Sequence, residues 1–284
     1  MQIAVVSGKG GTGKTTVTSV FATLCGGVIV DCDVDAPNLH ILLKPRILKE
    51  IPFTGMRKAK IIDEMCERCG LCEDLCRFDA INFDDDRYSV DVVRCEGCGF
   101  CYRACPNDAI EMVSEVRGKI FISETEYGPF VYAKLEPGEE NSGLLVHEVK
   151  RVAEEIADER GFDTILIDGA PGIGCPVIAS LSKVDKAVVV AEPTLSGLSD
   201  MERILMLIEH FKIEPYVIIN KFDVNLDVSR EIEDFCKSRN IPIVAKVPFY
   251  DDIPTLIANL KIPIKDEIVK AWRELSCMKR LRRG

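Results

Sequence analysis

Two sets of residues in this chain have types and spacings suited to chemistry. The first is Gly8-Lys9-Gly10-Gly11-Thr12-Gly13-Lys14-Thr15-Thr16, which satisfies the pattern G-x-x-x-x-G-K-T from Gly8 to Thr15. Closely spaced glycines let successive backbone N–H groups curl around phosphate oxygens at the positive end of a helix. The lysine then reaches the β- and γ-phosphates and the following hydroxyl ligates Mg²⁺. The second set is a pair of cysteine runs, Cys66-x2-Cys69-x2-Cys72-x3-Cys76 and Cys95-x2-Cys98-x2-Cys101-x3-Cys105-Pro106. Three thiolates on one tight loop can wrap a face of an iron–sulfur cluster while a fourth arrives from elsewhere. Structural zinc competes, but such sites usually pair two C-x2-C units across a longer spacer.

Two acidic stretches complement the phosphate loop. The run Val28-Ile29-Val30 leads into Asp31-Cys32-Asp33-Val34-Asp35-Ala36-Pro37-Asn38, a strand ending in acids that could equally form a turn and cap a helix. Further on, Thr164-Ile165-Leu166-Ile167-Asp168-Gly169-Ala170-Pro171-Gly172 places an acid at the edge of an apolar strand. Asp168 there is positioned to hold Mg²⁺ through water, and Pro171-Gly172 opens a segment that can sense a γ-phosphate.

The elements that must carry these residues read as alternating strands and helices. Ile3 to Val6 predicts a strand into the glycine loop and Val17 to Leu24 a helix out of it. Beyond Asp168, strands at Ala187–Ala191, Val217–Ile219 and Ile243–Val247 alternate with helices at Leu198–Phe211 and Val228–Cys236. That alternation predicts an α/β fold, a mostly parallel doubly wound sheet covered on both faces. Lys119 to Leu135 reads as a hairpin, and Asn141-Ser142-Gly143 as the cap of a helix ending near Gly161. The cysteine region is an internal repeat offset by 29 residues, from Cys66 to Cys95 and from Asp79-Ala80-Ile81 to Asp108-Ala109-Ile110, and one departure is Arg77, where the second run has Pro106. Gly70, Gly97 and Gly99 sit in its loops, where close backbone approach is useful. The expected organisation is a phosphate-loop domain at 1–56 and 113–284 with a small inserted α+β domain at 57–112.

The loop K-G-G-T-G-K-T resembles the deviant Walker A motif of the MinD/ParA/Mrp ATPases and the nitrogenase iron protein. The resemblance implies ATP hydrolysis with Mg²⁺ and ATP-dependent homodimerisation in which Lys9 reaches the partner's nucleotide. It also implies that Asp33, with Asp35 in reserve, orients the attacking water, and that Asn220 of Asn220-Lys221 pairs with the purine edge. The cysteine spacing resembles that of bacterial two-cluster ferredoxins. That implies two [4Fe-4S] clusters, one on Cys66, Cys69, Cys72 and Cys105 and the other on Cys95, Cys98, Cys101 and Cys76. Together they resemble MinD-superfamily ATPases with an inserted ferredoxin domain. The implied function is ATP-dependent dimer switching coupled to electron transfer toward a redox partner protein. A cluster carrier serving apo iron–sulfur clients is the alternative, although the C-terminal C-x-x-C of Mrp proteins is replaced here by lone Cys236 and Cys277. Cys175 occupies the place of a cluster ligand in the nitrogenase iron protein, or is a small buried hydrophobe.

The 284 residues can bury a large core, and a net charge of −10 offers no basic field for nucleic acid. Thirteen cysteines with no signal-like segment before the first strand imply a reducing cytoplasm. No apolar run approaches a membrane span. The C-terminal stripe Ile268, Trp272, Leu275, Met278 and Leu281 with its flanking cations reads as a final helix on the sheet, with a membrane-binding tail the lesser expectation.

Overall fold

The computed structural model describes residues 1–136 and 142–277. In chain order the elements are β1 (Gln2–Ser7), α1 (Lys14–Cys25), β2 (Val28–Asp31), α2 (Leu39–Leu43), β3 (Arg46–Thr54), β4 (Lys58–Ile61), α3 (Leu71–Asp74), β5 (Ile81–Asp84), β6 (Arg87–Val90), α4 (Phe100–Ala104), β7 (Ile110–Val113), β8 (Val116–Thr125) and β9 (Gly128–Leu135). They continue with α5 (Ser142–Arg160), β10 (Ile165–Pro171), α6 (Cys175–Leu181), β11 (Lys186–Ala191), α7 (Leu195–His210), β12 (Glu214–Asn220), α8 (Leu226–Ser238), β13 (Ile243–Val247), α9 (Ile253–Ala258) and α10 (Asp266–Cys277).

The chain divides into two compact units. The first comprises Met1–Ile51, Ile120–Lys134 and the described residues from Ser142 onward. Its sheet runs β13-β12-β11-β1-β10-β2-β9-β8-β3, and β1, β2, β9, β10, β11, β12 and β13 pair in parallel. Every residue of β2 and β11 is buried, because helices cover both faces and unbroken apolar runs are what such strands require. The phosphate loop follows β1 at the carboxyl edge of this sheet, beside the ends of β10 and β2. Ile268, Ala271, Trp272 and Leu275 of α10 are buried, and the Trp272 ring lies 5.1 Å from that of Phe21 on α1. The apolar stripe of the last helix is therefore spent on the core. Met278 and Leu281 of the expected tail, and Asn141 of the expected cap, lie outside the described residues. Among the described residues no helix is long and apolar enough to cross a membrane.

The second unit comprises Pro52–Lys119 and the described residues from Leu135, wider than the expected 57–112 because the end of β3 and the start of β8 go with it. β4 pairs antiparallel with β7, and β5 with β6. The two pairs are related by the sequence repeat: moving β4 and β5 forward by 29 residues gives β6 and β7, and Lys58↔Val113 becomes Arg87↔Asp84. Left-handed backbone recurs at the same interval, at Arg68 and Gly97, Gly70 and Gly99, and Asp79 and Asp108. Its small core consists of Ala59, Ala80, Cys95 and Ile110, with Ile61, Val90, Met112, Cys72, Cys76, Cys101 and Cys105 packed against it.

Candidate functional site

The phosphate loop turns on Gly13, whose φ of 94° sets up the first turn of α1. A Cβ at Gly13 would sit 2.3 Å from the Asn220 amide nitrogen, and one at Gly8 would sit 2.3 Å from the Asp200 carbonyl oxygen. Glycine is required at both by close approach. Cβ atoms at Gly10 and Gly11 would meet nothing, so the outer rim of the loop is open. The Thr12 hydroxyl is buried with no hydrogen-bond partner. An orphan donor inside a glycine loop fits a phosphate oxygen, as do the N–H groups at the start of α1.

Behind the loop, Asp168 collects three donors: Lys14 Nζ at 2.9 Å, Thr15 Oγ1 at 2.9 Å and Thr18 Oγ1 at 2.8 Å. Burial favours the neutral amine of Lys14, but Asp168, with Asp31 and Asp33, outweighs burial and holds its pKa above the ordinary value. Strand register sets Asp31 directly beside Asp168. Asp31 is fully buried, and burial followed by the Asp168 charge pushes its pKa up to about 7. Backbone N–H groups of Asp33 and Leu39 donate to its two oxygens at 3.0 and 3.2 Å. Asp33 is half-buried, its pKa raised chiefly by burial. The result is a pocket of carboxylates and hydroxyls around one buried ammonium, the donor set a hard divalent cation and a polyphosphate call for.

Of the expected residues, the structure brings Lys14, Thr15, Asp33 and Asp168 together. Thr16 lies on α1, its carbonyl accepting from Ser19 Oγ. Lys9 turns back on its own chain, donating to Thr194 Oγ1 at 3.0 Å and Ser196 Oγ at 3.1 Å, with Glu192 at 3.9 Å. Asn220 donates its amide to the Thr12 carbonyl at 2.8 Å, and Lys221 pairs with Glu192 at 2.9 Å. Sequence reasoning passed over Asp31 and Thr18. Thr18 stands one helical turn after Lys14, a spacing that could have been read; Asp31 needed the register.

In the second unit the eight cysteines sort into two cavities. One is lined by Cys66, Cys69, Cys72 and Cys105, the other by Cys95, Cys98, Cys101 and Cys76. Each set takes three thiols from one run and the last from the other. Matching amides point at matching sulfurs: Ala80 N–H donates to Cys76 Sγ at 3.4 Å and Ala109 N–H to Cys105 Sγ at 3.3 Å. Among the described residues no three His, Cys, Asp or Glu side chains are grouped to hold a single metal ion. Burial, and then the neighbouring thiols Cys66 and Cys101, push the Cys72 pKa up to about 11. Outside the unit, Cys175 is exposed at the start of α6, while Cys236 is buried and burial raises its pKa to about 11.

The chain matches the CobQ/CobB/MinD/ParA nucleotide binding domain over residues 3–264 and belongs to that family. It is an ATPase of the MinD/ParA type. It is 36% identical over 267 residues to an uncharacterized protein of Methanocaldococcus jannaschii, MJ0578, covering 91% of this chain and 88% of that one. The septum site-determining protein MinD of Thermotoga maritima is 24% identical over 273 residues, covering 92% and 80%. Among solved structures, MinD of Pyrococcus horikoshii complexed with Mg-ADP superimposes with a TM-score of 0.57 at 17% identity, covering 97% of this chain and 96% of that one.

Proposed function

We propose that this ATPase is an iron–sulfur protein in which ATP-dependent switching of a homodimer controls electron transfer through two [4Fe-4S] clusters to a redox partner protein. The observation that carries the reading is the sorting of the eight cysteines into two cavities, each closed by the last thiol of the opposite run. When bound, each cluster would supply a one-electron store, held on Cys66, Cys69, Cys72 and Cys105 in one cavity and on Cys95, Cys98, Cys101 and Cys76 in the other.

At the nucleotide, the N–H groups from Gly8 to Thr16 cradle phosphate, and Lys14 moves its ammonium from Asp168 toward the more highly charged β- and γ-oxygens. Thr15 and Asp168 would hold a Mg²⁺ that neutralises phosphate charge, Asp33 would orient the attacking water, and Asn220 would face the purine. Lys9, held by hydroxyls and a distant carboxylate on its own chain, is released to the partner's nucleotide on dimerisation. The coupling follows from chain order: the segment carrying the cysteines leaves the first unit after the Asp31–Asp33 stretch and returns before Asp168. A γ-phosphate that shifts those acids pulls on both ends of the insertion.

Anaerobic purification with iron and sulfide quantification tests the reading. Eight iron and eight sulfide per chain, with an EPR signal on reduction, is the expected result; bound zinc, or iron without sulfide, overturns it. Measurable iron transfer to an apo-ferredoxin would replace electron transfer by cluster delivery.

A further inference from the structure

The two cavities share a backbone but not a lining. Positions that line one recur 29 residues away in the lining of the other, and most pairs are identical or alike: Glu67 with Glu96, Gly70 with Gly99, Ala109 with Ala80, Ile110 with Ile81. Leu71 and Pro106 line the first cavity while their mates Phe100 and Arg77 do not line the second, and three further pairs put polar groups on one side only. The cavity of Cys66, Cys69, Cys72 and Cys105 is lined by Arg68, Tyr88 and Asn107. The corresponding residues of the other half are Gly97, Ala59 and Phe78, of which Ala59 and Phe78 line the second cavity.

Arg68 is the telling member. It holds a left-handed backbone, φ 57°, at a position where its repeat mate is a glycine with φ 65°. A side chain at Gly97 is excluded outright, because a Cβ there would lie 2.2 Å from the Arg57 carbonyl oxygen. A bulky residue in that conformation costs backbone energy, and such strain persists where something is gained from it. The Arg68 guanidinium is held by Asp86 at 2.8 Å, and Arg68 lines the cavity while Asp86 does not.

We propose that Arg68 raises the reduction potential of the cluster on Cys66, Cys69, Cys72 and Cys105 above that of its twin, so that the first electron to enter the unit settles there. This rests on the two-cluster reading above. Reduction adds one negative charge to a cluster; a neighbouring cation and amide donor stabilise that charge, and an apolar lining of Phe78 and Ala59 does not. Lys58 opposes the effect from the other side, its ammonium donating to the Cys95 carbonyl, but it does not line the second cavity.

The test is an EPR-monitored redox titration of the intact protein, with mediators carrying single electrons, for wild type, Arg68→Gly, Arg68→Lys, Asp86→Asn and Lys58→Met. Glycine suits the backbone at position 68, so loss of fold is not expected. Wild type should show two midpoints. Arg68→Gly should move only the higher one, downward by at least a tenfold change in the one-electron equilibrium, about 59 mV. Arg68→Lys should restore most of it, Asp86→Asn should raise it, and Lys58→Met should lower only the lower midpoint. The gap should narrow as salt screens the exposed Arg68 charge. A single shared midpoint in wild type, or an Arg68→Gly shift confined to the lower one, overturns the proposal. A protein lacking eight iron atoms refutes the two-cluster reading instead, and the iron count separates the two failures.

Discussion

In the first unit, Asp168 and Asp31 stand at strand ends backed by Ile3, Val5, Leu166 and Val188, all fully buried, and by the Phe21–Trp272 contact beneath α1. Each large apolar side chain so placed contributes roughly 1.5–3 kcal/mol, so this core exists whether or not the site is in use. In the second unit, the buried cluster of Ala59, Ala80, Cys95 and Ile110 contains one large aliphatic side chain, and Ile61, Val90 and Met112 pack against it together with four further cysteines. There much of the core is the same thiols that would do the chemistry. A site mounted on a scaffold can be altered without unfolding it; a site that is the scaffold cannot.

That contrast can be broken by several measurements. The largest effect should come from stripping metal with a chelator. Backbone amides of Lys58–Ile61 and Ile110–Val113 should then exchange as in an unfolded chain, while those of Ile3–Val6 and Leu166–Asp168 stay protected. Sustained protection of β4 and β7 after complete iron removal would contradict it. Next, Lys14→Ala leaves Asp168 without its ammonium in a site where the two side chains are 7% and 1% exposed. Denaturant unfolding of the first unit should lose about 3–5 kcal/mol. Hydrolysis should fall together with it, whereas Asp33→Asn should cut ATP turnover roughly 100-fold or more with little loss of stability.

Asp31 gives a pH dependence confined to the first unit. Its folded pKa, near 7, lies above the unfolded value of 3.8, so the folded state binds the extra proton between those limits. Stability from this group is complete below about pH 4 and is lost as pH rises through about 7, by at most about 4 kcal/mol. Asp31→Asn should flatten that slope in unfolding titrations. Smallest is Gly169→Ala, whose Cβ would come within 2.7 Å of Val6 Cγ1 and 3.0 Å of the Val5 carbonyl. It should cost about 1–3 kcal/mol in the first unit and leave cluster content unchanged.

How much of this was legible beforehand divides along the same line. The phosphate loop, Asp168 and the strand–helix alternation are local patterns, and the mostly parallel sheet followed from them. The repeat, too, could be read from spacing, because a tight loop of thiols is written in consecutive residues. What escaped needed contacts distant in sequence. The pairing of Asp31 with Asp168 depends on parallel register between β2 and β10, and Asp33 had attracted the functional reading instead. The parking of Lys9 on Thr194 and Ser196 joins loops that no motif connects. β3 gave no sequence signal, since most of its residues are exposed and its pattern does not alternate cleanly. Arg68 was visible only as a residue between two cysteines until its backbone angle set it against Gly97.

The central claim, that the nucleotide site governs the cysteine unit, is tested most directly by measuring the cluster midpoint potentials of the intact protein with MgADP and with a non-hydrolysable MgATP analogue. The account predicts that the potentials differ between the two nucleotides by at least a tenfold change in the one-electron equilibrium, about 59 mV. Potentials that coincide under both nucleotides, in protein holding eight iron atoms and binding both nucleotides, would contradict it.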